Sequence, residues 1–299
     1  MECYCGLDHH DHFKVIRENH TQHGFTYSLG RNDDIKKFQP EKKCGGGLYF
    51  CTGIEVIEYL MYGTKLAFVR VPEGAQVCHD NMKSKASSLV VDKIIPLEDF
   101  ERWSDEKWCL QAVRRCIRPF QYVKVLTPEM MILAYRACYL RGLNLKFIRE
   151  QTSDLCLIAV QNDGLALRHV RNQSPEICLE AVKQNGLALR YVNEPNHDIC
   201  LKAVQQNGNA IEYVDTQTEE LCLEAVRQTG VALRSIKKQT PEICLTAVHQ
   251  SGLALCCVRK QTLDICIEAV NQTKLALQFV RNEEIYQICR DLCTRWWPN

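Results

Sequence analysis

From residue 152 onward the apolar positions recur with a period of 22 residues. Cys156, Cys178, Cys200, Cys222, Cys244 and Cys266 hold one recurring place in a phrase close to T-P-E-I-C-L-x-A-V-x-Q-x-G-L-A-L-R-x-V-x-x-Q. A fixed period carrying a fixed pattern predicts a repeat architecture. In the unit from Thr240 to Gln261, Thr240 suits a helix N-cap and Pro241 the first helical position. Glu242 adds negative charge where the helix dipole favours it. Ile243, Cys244, Ala247 and Val248 then fall on one helical face. Gly252 is expected to end the helix as a glycine C-cap, and Gly164, Gly186, Gly208 and Gly230 to do the same in their units. Leu253, Ala254, Leu255 and Val258 predict a second, shorter helix.

Helices of two or three turns are marginal alone in water. They must bury their apolar faces on neighbours, so the pattern predicts an α-solenoid of short helix-turn-helix repeats. Counting Cys109 and Met131 as earlier anchors gives eight repeats within residues 103–299, with a 25-residue step from Met131 to Cys156 and a degenerate C-terminal cap around Cys289. Trp103 and Trp108 at one end, and Trp296 and Trp297 at the other, are expected to close the array. Over residues 1–102 the period disappears. Phe13–Arg17, Gly24–Ser28, Gly47–Cys51, Lys65–Val71 and Leu89–Ile95 read as strands, and Gly53–Tyr62 as a helix. The chain is therefore expected to be mainly α, with a small α+β N-terminal domain.

Composition narrows the class. The net charge of +1 lacks the basic excess of a general nucleic-acid binder. No run of 18 apolar residues exists to cross a membrane, and MECYCGLDHHDHFKV lacks the apolar core of a signal peptide. The 18 cysteines fall largely inside apolar helical phrases and read as reduced thiols, which implies a cytoplasmic setting.

The strings Cys178-Leu179-Glu180-Ala181-Val182 and Gly186-Leu187-Ala188-Leu189-Arg190 resemble a short helical repeat of unknown function found in giant amoeba-infecting, mimivirus-like DNA viruses. That resemblance covers about two thirds of the chain. Ile117 in place of the glycine and Met131 in place of the cysteine depart from it. Gly24-Phe25-Thr26-Tyr27, Gly46-Gly47-Leu48-Tyr49-Phe50, Val69-Arg70-Val71-Pro72 and Lys83-Ser84-Lys85-Ala86 resemble an N-terminal domain of the same viral proteins, over roughly residues 13–96. The resemblance implies a shared fold, a viral protein acting in the host cytoplasm or the virion, and no established activity.

Candidate chemistry is sparse. The cysteine ladder reads as one packing position per layer, because layers ~8–10 Å apart hold thiols too far apart for zinc or disulfides. Cys3, Cys5, His9, His10, His12, His20 and His23, with Cys44 and Cys51, have the right ligand types for zinc but no paired spacing, so no metal or other cofactor is expected. Gly45-Gly46-Gly47 lacks the phosphate-loop pattern. His23-Gly24 with Gly47-Leu48-Tyr49-Phe50 faintly resembles the NAD-holding landmarks of ADP-ribosyltransferases. This gives an enzymatic alternative on His23 and Tyr49, although neither Glu73 nor Glu98 supplies the third residue. The repeats also stack a basic ridge: Arg168, Arg190 and Arg234 in one register, and Arg171, Lys237, Arg259 and Arg281 in another. Glu212, Cys256 and Gln278 interrupt the first. A row of Asn162, Gln184, Gln206, Gln228, Gln250 and Gln272 is expected to mark a solvated face. The leading expectation is a non-enzymatic interaction protein that binds a protein partner through its repeat surface, with RNA along the ridge as a further alternative.

Overall fold

The computed structural model describes residues 12–22, 24–39, 47–80 and 83–296. The chain divides into two compact units, residues 1–134 with 147–150, and residues 135–146 with 151–299.

In the first unit the described strands are β1 (His12–Ile16), β2 (Thr21–Gln22), β3 (Phe25–Thr26), β4 (Gly30–Asp33), β5 (Leu48–Thr52), β6 (Lys65–Arg70), β7 (Val77–Asp80), β8 (Lys83–Ala86) and β9 (Ser88–Pro96). Seven of them form one antiparallel sheet in the order β4-β9-β6-β1-β5-β8-β7, and β2 and β3 make a separate ribbon. The five strands read from the sequence lie within one to two residues of β1, β3, β5, β6 and β9, β3 being much the shorter. β4, β7 and β8 were not legible, because G-R-N-D, V-C-H-D and K-S-K-A carry little apolar alternation.

Central β1 is buried along its whole length. One face packs on Tyr27, Leu48, Phe50, Ala67, Val69, Leu89 and Val91. On the other, Phe13 meets Phe68 and Phe100 edge-on, each with ring centroids 5.3 Å away. The segment Gly53–Tyr62 forms a 3-10 helix with Val56, Ile57 and Leu60 buried. Trp103 and Trp108 join Phe100 in the same aromatic cluster. The two tryptophans expected to cap the array are thus core residues of the first unit. The reason is area: large rings contribute most where they are fully buried.

The nine α-helices among the described residues are α1 (Glu106–Arg115), α2 (Pro128–Leu140), α3 (Ser153–Asn162), α4 (Pro175–Gln184), α5 (His197–Gln206), α6 (Glu219–Gln228), α7 (Pro241–Gln250), α8 (Leu263–Gln272) and α9 (Glu283–Trp296). Each from α2 to α8 is followed by a six-residue 3-10 helix, as at Gly164–His169, Gly186–Tyr191 and Lys274–Phe279. Helices in a repeated arrangement following an antiparallel sheet are compatible with an α+β domain joined to helical repeats. The N-caps fall as the phrase predicts: Thr152, Ser174, Asn196, Thr218, Thr240 and Thr262 each accept a backbone N–H three residues on.

The glycine expectation is overturned. Gly164, Gly186, Gly208, Gly230 and Gly252 are absent from the left-handed glycines, and each opens a 3-10 helix. The α-helix ends instead at the preceding residue, such as Asp163 or Asn185, in extended conformation. Its side chain caps the new turn, Asp163 Oδ1 accepting from Leu165 N at 3.0 Å. The glycine is needed because a Cβ there would lie 2.3–2.5 Å from a backbone carbonyl of the next repeat, that of Ala181 for Gly164 and Ala203 for Gly186.

Candidate functional site

The first unit contains a cavity of about 570 Å³, within the size range of small-molecule sites. Its position follows from the sheet. Among the described residues the β1–β5 ladder runs for two pairs, His12–Thr52 and Phe13–Cys51. Past that point Lys14 and Val15 of β1 and Leu48, Tyr49 and Phe50 of β5 line the cavity together. Phe25, Tyr27, Tyr59 and Tyr62 add aromatic wall, and Asp34, Lys36 and Lys83 add charge.

Lys14 is the unusual residue. It stands mid-strand in His-Phe-Lys-Val-Ile and is only 5% exposed. Its Nζ donates to the carbonyl of Tyr49 at 2.7 Å and lies 4.7 Å from the centre of the Tyr27 ring. Burial drives the amine down to about 7, with Lys83 pushing the same way. Lys83 Nζ sits 4.5 Å over the Tyr49 ring. Burial pushes the Tyr59 hydroxyl and the Cys51 thiol up to about 12 each, and raises Tyr27 as well. Cys51 Sγ donates to the Phe13 carbonyl at 3.3 Å. The Asp34 carboxylate is held by the backbone N–H groups of Gly47 and Lys36.

Of the residues proposed for NAD, Tyr49 lines this cavity and His23 lies outside the described residues. Glu73 and Glu98 are not among the lining residues. Cys3, Cys5, His9, His10, Cys44, Gly45 and Gly46 also lie outside the described residues. His12 packs edge-on against Phe50, and His20 shares a hydrogen bond with Lys65. Among the described residues no group of three or more His, Cys, Asp or Glu side chains is placed to hold a metal ion. Lys14, Tyr27, Tyr59 and Lys83 were missed by sequence reasoning. The one available signal was a lysine between Phe13 and Val15 inside an apolar strand.

In the second unit the ladder cysteines are buried, from 0% exposed at Cys266 to 6% at Cys200, and burial raises their thiols. Beside them runs a second ladder. Gln239 Nε2 donates to Leu233 O in its own repeat and Cys257 O in the next, while its Oε1 accepts from Arg259 N. Gln151, Gln217 and Gln261 make the same three-way fork, and Gln173 its two inter-repeat arms. Cys178 Sγ donates to Gln173 Oε1 at 3.5 Å. Pro195 stands where the next glutamine would be, opposite Cys200. The row expected to be merely solvated also joins repeats: Gln184, Gln206 and Gln250 accept from the glycine N–H of the preceding unit at 2.6–2.7 Å.

The basic registers behave differently. Lys237, Arg259 and Arg281 donate to backbone carbonyls of the preceding repeat, and Arg171 is exposed at the equivalent place. Arg168, Arg190 and Arg234 are exposed on the 3-10 helices, with Arg190 over the rings of Tyr191 and Tyr213. Three residues before each arginine stand Leu165, Leu187 and Val231. Residues three apart on a 3-10 helix eclipse one another, so these three turns present an apolar residue beside a cation. Val231, Leu253 and Leu275 are 42%, 40% and 64% exposed.

Residues 152–195 and 174–218 match a family described as a domain of unknown function, DUF4116. The two matched segments start 22 residues apart, so each is two repeats long and they share one. The chain contains repeats of unknown function of that kind. It matches no curated protein and no solved structure. No described helix is long and apolar enough to cross a membrane.

Proposed function

We propose that the protein is a macromolecular interaction protein. Its repeats form an α-solenoid that binds a protein partner along the row of 3-10 helices. The observation that supports this most is the pairing of an apolar residue with an exposed arginine at Leu165–Arg168, Leu187–Arg190 and Val231–Arg234, the two leucines half-buried and Val231 exposed. Solenoids use such stacked surfaces for extended recognition. The chemistry suits a partner segment in which acidic and apolar side chains alternate. Asn209 and Glu212 interrupt the row in the middle unit, so the partner would bridge two contact patches. The viral resemblance of the repeat phrase supports action in the host cytoplasm or the virion.

The test is affinity capture with full-length wild-type protein and with Arg190→Glu/Arg234→Glu, from infected host cells. The reading expects a protein partner captured by the wild type and lost by the variant at equal thermal stability. Capture that charge reversal does not alter, or capture of RNA with a steep salt dependence, would overturn it.

A further inference from the structure

The repeat surface leaves the cavity of the first unit unexplained, and the cavity contains a feature that structural needs alone do not call for. A lysine buried in a central strand is costly unless its charge is paired or lost. Among the described residues Lys14 has no carboxylate partner, and the hydrogen bond of its Nζ is to the Tyr49 carbonyl, beside the face of Tyr27. The amine is thereby oriented by one acceptor. Cys51 and Lys83 act on its charge and the Tyr27 ring lies beside it, while Asp34, Lys36, Tyr49, Tyr59 and Tyr62 are the other charged or titratable groups lining the same cavity. Desolvation and a neighbouring cation are the two ways proteins activate a lysine as a nucleophile.

We propose that this cavity is a covalent binding site for a small aromatic aldehyde carrying an anionic group, with Lys14 as the nucleophile. The aromatic walls, Phe25, Tyr27, Tyr49, Tyr59 and Tyr62, fit a planar ring, and Lys83 and Lys36 fit the anion. The step is a condensation. The Nζ lone pair attacks the carbonyl carbon and forms a C–N bond, and the carbonyl π pair moves to oxygen. The two protons of the amine go to that oxygen, which leaves as water, and a C=N bond remains. Nothing is oxidised or reduced. At neutral pH a useful fraction of Lys14 is already the free amine, whereas an ordinary lysine, at about 10.4, is almost wholly protonated.

The experiment uses pyridoxal 5′-phosphate as the probe, at less than one equivalent, with borohydride to reduce and fix any imine, followed by peptide mapping by mass spectrometry. Lys14 is expected to carry at least tenfold more label than any exposed lysine. Its labelling should rise through about pH 7, and the preference should vanish in denaturant. Lys14→Arg should abolish the preferred label, and Lys83→Ala should raise the probe concentration needed several-fold. Benzaldehyde, which has no anionic group, should label Lys14 more weakly. Label confined to exposed lysines of the folded wild type would overturn the proposal, and this readout needs no variant. So would a Lys14 labelling profile that rises only near pH 10.

Discussion

Gly186→Ala adds one carbon at the closest approach between two repeats. Built on the existing backbone, that carbon would lie 2.3 Å from the Ala203 carbonyl oxygen, 3.0 Å from Gln206 Oε1 and 3.1 Å from Asn207 Cβ. A carbonyl in a helix cannot swing aside as a flexible side-chain tip can, so the next repeat has to move. Overpacking of this kind costs about 1–3 kcal/mol. The Gly186 N–H to Gln206 bond, 2.6 Å long, would be stretched, at roughly 0.5–1.5 kcal/mol. Against this, replacing glycine stiffens the unfolded chain by about 0.4–1 kcal/mol. The net expectation is a loss of roughly 0.5–4 kcal/mol, centred on about 2. Urea unfolding followed by circular dichroism measures it, with amide hydrogen exchange across residues 175–213, because repeat arrays can unfold in parts. Two controls separate the clash from a conformational role. Lys274 holds the same position in the last 3-10 helix, is exposed, and should tolerate alanine within about 0.5 kcal/mol. Gly186→Asn should be at least as damaging as alanine, although asparagine accepts the left-handed conformation. If asparagine restored wild-type stability, or alanine proved harmless, the close-approach explanation would be wrong.

Other consequences are testable in the same assays. Gln239→Ala removes a fork of three hydrogen bonds and should cost about 1–3 kcal/mol, while Pro195→Gln should stabilise the array by completing the ladder; no gain from the second would mean the fork is not what ties repeats together. Cys200→Ser buries a hydroxyl beside Pro195 and should cost roughly 1–3 kcal/mol, and Cys178→Ser should cost less because Gln173 Oε1 is at hand; an unchanged melting curve for Cys200→Ser would contradict a buried ladder. Lys14→Met should be more stable than wild type below about pH 7, where both folded and unfolded wild type are protonated and the burial penalty is complete. From about pH 7 to about 10.4 the unfolded lysine binds the extra proton, so wild-type stability rises and the gap narrows; a gap that stays constant over that range would show that Lys14 is not desolvated.

The 22-residue phrase carried the periodic half of the fold with little loss. Caps such as Thr240, the buried run Ile243, Cys244, Ala247 and Val248, and the short second helix are local consequences of spacing and side-chain chemistry. The strands of the first unit were legible where apolar residues cluster and illegible where the strand is polar, as in the edge strands β4 and β7 and in β8 beside the latter. Contacts between units of the pattern were not legible. That each glycine answers to a carbonyl 17 residues ahead, that Gln239 ties two turns together, and that Trp103 belongs to the aromatic core of the first unit are all long-range facts. A lysine within H-F-K-V-I could equally have been an edge residue reaching solvent. Only the parting of β1 from β5 made it the buried amine of a cavity, because burial, and with it the charge state of a side chain, is set by what the rest of the chain packs around it.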